Sequence, residues 1–260
     1  MTDRLQVEVD GPSGLPVLVL GTSLGSTGAL WEPLLPALTE HFQVVRYDHF
    51  GHGDSATPDG PYTIEQLGRA VLDLLDERGY QRVSYAGLSL GGMVGIWLAA
   101  HAPDRIDRLA LLCTAARVPS EPWHDRIAAV RAGGIPAIAG PVAGRWFTPH
   151  WAERHPDVVR RHRAVLEAIP PDGYIACCEA IAAMDQRADL PGIAAPTLVI
   201  GAAQDEAIPV EYQREIADAV PGARLLVLDD AAHLAPAQHP DAVAAALLDH
   251  LRVRDARAGG

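Results

Sequence analysis

Residues 87–91 read Gly87-Leu88-Ser89-Leu90-Gly91, a G-x-S-x-G sequence, and its flanks restrict what the chain around it can fold into. A short apolar run, Val83 to Ala86, leads in, and a helix-compatible run, Met93 to Ala100, leads out. A serine on so sharp a strand-to-helix turn is held in strained φ/ψ, and the positions two before and two after it must be nearly free of side chain. Glycine supplies that at both. The turn lifts the serine Oγ clear of a sheet and sets it at a helix N-terminus, where the macrodipole and free N–H groups favour developing negative charge. An ordinary glycine-rich turn accounts for the glycines but not for the strand before and the helix after. Ser89 is therefore read as a nucleophile.

The rest of the chain has the alternation that such a turn requires. Residues 5–9, 16–20, 43–47, 83–86, 109–113, 197–200 and 224–228 are short apolar runs with strand character, several of them apolar throughout, as buried parallel strands are. Between them, 63–78, 89–101, 210–220 and 240–251 have helical spacing, and Thr63 with Gln66 forms a capping box ahead of Leu67, Val71, Leu74 and Leu75. The pattern predicts an α/β fold with a mostly parallel, doubly wound sheet. It breaks between about 115 and 190, where helices are predicted over 123–132, 156–168 and 173–185 and no strand is. Ligands bind outside the carboxyl ends of parallel strands, so a helical insertion there is expected to cap the site. The expected organisation is a core of 1–114 and 191–254, a cap of 115–190 and a tail of 255–260.

A serine nucleophile needs a base, and the base an orienting carboxylate, in the chain order Ser, Asp or Glu, His for this kind of turn. The run 197–200 delivers Asp205 just past a strand end, and the run 224–228 delivers His233. Glu206, Asp229 and Asp230 compete less well and read as solvated or capping groups. The expected oxyanion donors are the backbone N–H groups of Leu90, after the nucleophile, and Leu24, in the small-residue loop Gly21-Thr22-Ser23-Leu24-Gly25-Ser26. His49, in the glycine-rich segment Asp48-His49-Phe50-Gly51-His52-Gly53, is expected to line the pocket.

Composition narrows the chemistry. The formal net charge of −12 argues against nucleic acid or an anionic membrane as partner. All 21 basic residues are arginine, which excludes Schiff-base chemistry and a phosphate-binding lysine. Cys113, Cys177 and Cys178 lack metal-ligand spacing and read as small core residues, so no metal and no cofactor is expected. Residues 1–4 begin no apolar leader and no apolar run approaches 18 residues, so a cytoplasmic location is expected. Self-association as a homo-oligomer stays open. Charge is unevenly spread: residues 116–165 carry eight arginines against four acids, an excess of basic charge inside an acidic chain. That segment is read either as a solvated helical face or as the entry for an anionic substrate.

These motifs together resemble the α/β-hydrolase superfamily and, more narrowly, the 3-oxoadipate enol-lactone hydrolases of the β-ketoadipate pathway. The resemblance runs over nearly the whole chain. It is carried most specifically by 87–95, by Arg145-Trp146-Phe147-Thr148-Pro149, by Gly173-Tyr174-Ile175-Ala176-Cys177-Cys178-Glu179-Ala180, and by Gln204-Asp205 and Ala231-Ala232-His233-Leu234. It implies hydrolysis of a small anionic lactone through an acyl-enzyme, with Arg145 pairing with the substrate carboxylate and Trp146 as an apolar wall. Two positions depart from the family pattern: Phe50 stands where arginine is usual, and Pro236 where asparagine is. A general carboxylesterase, a C–C bond hydrolase and a non-catalytic ligand-binding protein of the same fold are the rival readings.

Overall fold

A computed structural model of the chain describes residues 4–252; the expected tail, 255–260, lies outside them. The apolar runs become strands β1 (Val7–Asp10), β2 (Val17–Gly21), β3 (Gln43–Tyr47), β4 (Val83–Leu88), β5 (Ile106–Leu112), β6 (Thr197–Ala202) and β7 (Arg224–Leu228). Among the described residues they form one sheet in the order β1-β3-β2-β4-β5-β6-β7. β1 is antiparallel to β3, and every other neighbouring pair is parallel. Strand order reverses between β2 and β4, so a crevice opens at the carboxyl ends of those two strands. The nucleophile motif and the loop 21–26 leave the sheet at that crevice.

Helices cover both faces. They are α1 (Leu35–Leu38), α2 (Ile64–Glu77) and α3 (Leu90–His101) in the first half, and α9 (Val210–Ala219), α10 (Ala235–Gln238) and α11 (Pro240–Leu251) in the second. The capping box at α2 is formed: Gln66 N–H donates to Thr63 Oγ1 at 3.1 Å, and Thr63 N–H donates to Gln66 Oε1 at 2.8 Å. α3 is buried from Leu90 through Ala99, as a helix apolar on every side must be.

Between β5 and β6 lie α4 (Glu121–Gly133), α5 (Pro136–Ala143), α6 (Pro149–Arg154), α7 (Pro156–Glu167) and α8 (Pro171–Ala183). Three were expected. α5 and α6 were not among them; each opens on a proline, Pro136 and Pro149, where the lost N–H costs nothing, and α5 holds Pro141 inside it. The two necks of this helical segment are pinned together by an isolated antiparallel bridge, Arg117 to Asp185, and by Gln186 N–H donating to the Ala116 carbonyl at 2.8 Å. No helix among the described residues is long and apolar enough to cross a membrane. Cys113, Cys177 and Cys178 are free and buried.

Helix α3 starts directly on the sheet. A Cβ on Gly91 would lie 2.4 Å from the Gly21 carbonyl carbon, and one on Gly87 would lie 2.2 Å from the Gly91 carbonyl oxygen. Neither contact has a side-chain end that can swing aside. Gly91→Ala is therefore expected to destabilise by about 3 kcal/mol, the upper end of the ordinary overpacking range. Gly140→Ala, whose Cβ meets nothing within 4 Å, is expected to add up to about 1 kcal/mol through helix propensity. Urea unfolding of the two variants beside wild type checks both signs; equal effects would show that the contact at Gly91 is not limiting.

Candidate active site

Ser89 stands between β4 and α3 with φ 54 and ψ −112, one of two non-glycine residues at positive φ among the described residues. Such a backbone costs about 1–3 kcal/mol and needs partners to hold it. Ser89 N–H donates to the Leu112 carbonyl at 2.9 Å. The Ser89 carbonyl accepts from Thr114 Oγ1 at 2.7 Å and from Met93 N–H at 3.0 Å. These bonds tie the turn to β5 on one side and to its own helix on the other.

The acid and base come from the far half of the sheet. Asp205, in the loop after β6, is 4% exposed. Its Oδ1 accepts the N–H groups of Ala207 and Ile208 at 2.8 and 2.9 Å, which leaves Oδ2 to accept His233 Nδ1–H at 2.8 Å. That bond puts the imidazole proton on Nδ1 and leaves Nε2 bare, as a general base requires. Glu206 is exposed and makes no bond to His233. The histidine loop is held from the helical segment: Leu234 N–H donates to the Trp146 carbonyl at 2.9 Å. Gln238 Oε1 accepts from Ala232 N–H at 3.1 Å, while Gln238 Nε2 donates to Thr148 Oγ1 at 3.0 Å. The Arg145–Pro149 stretch therefore buttresses the base, a role for Thr148 and Gln238 that the sequence did not signal.

Peptide planarity fixes where two N–H groups point. In a trans peptide the N–H is anti to the preceding carbonyl. The Ser89 carbonyl faces down the helix and to Thr114, so the Leu90 N–H faces out of the helix end, where it has no intrahelical partner. The Ser23 carbonyl is held from behind by Ser26, through N–H at 3.1 Å and Oγ at 2.8 Å, so the Leu24 N–H faces the opposite way. Leu24 lines the same pocket as Ser89 and His233. Two buried histidines brace this loop. His52 accepts Gly25 N–H on Nε2 at 3.0 Å and donates from Nδ1 to the Phe50 carbonyl at 3.1 Å; His49 Nε2 donates to the Thr22 carbonyl at 3.0 Å. His49 was expected in the pocket wall. It lies behind the loop instead, 1% exposed, because its ring is drawn to the Thr22 carbonyl. Phe50 is buried against Tyr62, and Pro236 opens the buried helix α10; neither is among the residues lining the pocket.

The pocket is narrow. Its wall consists of Leu24, Ser89 and His233 from the sheet side, Ala207 and Ile208 beside Asp205, and Trp123, Arg126, Val142, Arg145 and Trp146 from the helices above. Arg145 and Trp146, expected at the substrate, are both among the lining residues. Arg126 was missed, although Trp123 three residues before it shares its face of α4 and the guanidinium stacks 4.5 Å over that indole. Neither Arg126 nor Arg145 has an ion-pair partner within 4 Å among the described residues. Burial, and after it the charge of Arg126, pushes the Arg145 pKa down against the pull of Glu206, Tyr174 and Asp205. Beside them the Tyr174 hydroxyl is fully buried without a hydrogen-bond partner at ordinary distance, though Arg126 lies close enough to oppose the rise in pKa that burial imposes. No cluster among the described residues is placed to hold a metal ion.

A family model described as the alpha/beta hydrolase fold matches residues 16–240. The chain is 36% identical over 233 residues to 3-oxoadipate enol-lactonase 2 of Acinetobacter baylyi, covering 89% of this chain and 87% of that protein. It superposes on the crystal structure of the enol-lactonase from Burkholderia xenovorans LB400 with a TM-score of 0.93 and 43% identity, over 95% of this chain and 96% of that one. A Stutzerimonas stutzeri relative assigned by name to carbamate hydrolysis, RutD, is 32% identical over 250 residues, covering 91% of each chain.

The braces behind the loop 21–26 carry a pH dependence. Burial lowers His49 to about 3 and His52 to about 4. Both lie below the ordinary value near 6.5, so on acidification the unfolded chain takes up protons first. The stability they carry is complete above about pH 6.5 and drains as pH falls toward about 4, by at most about 1.4 kcal/mol per pH unit for each imidazole. Urea unfolding of wild type and His52→Asn between about pH 6.5 and 4.5 should give a shallower slope for the variant. Identical slopes would mean that His52 is not held neutral.

Proposed function

The chain belongs to the alpha/beta hydrolase fold family, and from that membership we propose that it opens a carboxylate-bearing enol-lactone, 3-oxoadipate enol-lactone, to 3-oxoadipate. It is a serine-dependent ester and lactone hydrolase. The observation that carries the finer reading is the pair of unpaired guanidiniums, Arg126 and Arg145, facing the pocket that holds Ser89 and His233.

Ser89 Oγ attacks the ring carbonyl as its proton moves to His233 Nε2. The negative oxygen is received by the N–H groups of Leu90 and Leu24, each worth about 3–4 kcal/mol in a well-placed hole. Asp205 holds the imidazole tautomer and stabilises the cation that forms. Collapse breaks the ring C–O bond and gives an acyl-enzyme and an enol, which takes the proton from Nε2 and tautomerises to a ketone. An enolate leaves more readily than an alkoxide, so the protonation is undemanding. Water, giving its proton to Nε2, then releases the acid. A free carboxylate on the substrate meets the planar forks of Arg126 and Arg145, with Trp123 and Trp146 as apolar walls.

Ser89→Ala and Asp205→Asn are each expected to lose about 10⁴-fold or more in kcat, with little further loss on combination because the residues act as a unit. A tenth of wild-type activity in Ser89→Ala would end the assignment.

Arg145→Leu and Arg126→Leu are each expected to raise KM for the carboxylated lactone about 10–100-fold, as loss of a charge-assisted hydrogen bond does. Hydrolysis of p-nitrophenyl acetate should change little. Equal losses on both substrates would make the arginines structural. Wild-type turnover of a carbamate above that of the lactone would favour the other named activity.

A further inference from the structure

A hydroxyl that the triad does not include stands before His233 Nε2. Ser23 Oγ lies 3.5 Å from that nitrogen. The residue is 2% exposed and its backbone is fixed on both sides. The Thr22 carbonyl accepts from Gly91 N–H at 2.9 Å and from His49 Nε2, and the Ser23 carbonyl accepts from Ser26. The hydroxyl itself is loosely held, with two contacts of 3.5 Å, one to Nε2 and one to the Leu24 carbonyl. Buried hydroxyls ordinarily close a short bond. This one is left slack on a rigid loop, facing the nitrogen through which every proton of the hydrolysis passes.

We propose that Ser23 is a further catalytic residue, a role that rests on the reading of Ser89, His233 and Asp205 given above. In the free enzyme its O–H donates to the bare Nε2. Once Ser89 has given up its proton, Nε2 carries N–H and Ser23 Oγ accepts from it, since a hydroxyl can do either. In acylation its own proton is then free to point at the departing ester oxygen; in deacylation, where Nε2 is bare again, the same hydroxyl turns its proton to the attacking water as that water gives one to Nε2. The bonds made and broken are those of ordinary hydrolysis. One proton passes from Ser89 through Nε2 to the leaving oxygen, a second from water through Nε2 to Ser89, and Ser23 keeps its own. The effect is greatest in deacylation, where water has to be seated at Nε2 with nothing else to hold it.

The test is Ser23→Ala with p-nitrophenyl acetate, which engages the triad but not the arginines. p-Nitrophenolate leaves without protonation, so acylation is spared and the loss falls on deacylation. The expected result is a kcat lower by about 10–100-fold, a KM lower in proportion, an unchanged kcat/KM, and a burst of p-nitrophenolate equal to the enzyme. Ser23→Thr, which keeps the hydroxyl, should recover most of kcat. An unchanged kcat in Ser23→Ala overturns the proposal, and so does a loss that falls on kcat/KM without a burst. A wild-type enzyme inert toward the ester would overturn the triad reading and Ser23 with it, whereas one active on the ester and inert on the lactone would fault the substrate alone.

Discussion

The contact on which the site depends is backbone against backbone. Helix α3 rests on strand β2 with Gly91 over Gly21 and nothing between them; any side chain at either position would strike a neighbour within 3 Å. At that closeness the chain can pass from strand to helix only by turning through the positive-φ conformation seen at Ser89. The strain is about 1–3 kcal/mol, and the bonds to Leu112 and Thr114 hold it in place. Beneath the turn, Tyr85 donates its hydroxyl to the Gly91 carbonyl at 2.8 Å and meets the Tyr47 hydroxyl at 2.8 Å. The nucleophile is exposed to the pocket because the sheet and helix leave it no other place to be.

From there the site is built by fixing peptides rather than side chains. Two carbonyls, those of Ser23 and Ser89, are each held from behind by two donors, and planarity turns the following N–H groups away from those donors, which is the orientation the proposed oxyanion hole requires. Such donors need no reorganisation when charge appears, which is the condition for large electrostatic stabilisation. The braces are neutral imidazoles. A charged group in the place of His52 would lie next to the loop 21–26 and alter its field; a neutral ring accepts one N–H, donates another and adds no net charge.

Much of this was legible in the sequence, and the boundary is physical. The nucleophile turn, Asp205 and His233 are marked by local chemistry: glycines at fixed offsets and acidic or basic residues just past apolar strands. Local patterns also located the seven strands. What the sequence concealed depends on approach between distant segments. The bond from Leu234 to the Trp146 carbonyl joins residues 88 apart through backbone atoms common to every residue. Ser23 looks like any small loop residue until the fold places it before His233. His49 misled because a histidine after a strand end suggests a pocket, and only the position of the Thr22 carbonyl turns it away. α5 and α6 were hidden because proline at a helix start and proline as a breaker look alike in one dimension.

Charge explains why the arginine pair deserves weight against the acidic whole. The net −12 acts over long distances, but salt screens exposed charges beyond about 10 Å, so the field that would repel an anion is weak outside the pocket. Inside, the balance is set by what lies within a few ångströms. Two guanidiniums face one narrow cavity, each raising the cost of the other, and the pKa of Arg145 is pushed down partly for that reason. A fold gains nothing in stability by leaving like charges together. On the proposed reading, an anion seated between them would relieve the repulsion, and the arrangement that is unfavourable empty would become favourable when filled. On the proposed reading, a carboxylate bound there would set the far end of a small molecule and leave its ester carbonyl to be placed by length alone, so that two arginines outside the reaction would decide which ester reaches Ser89.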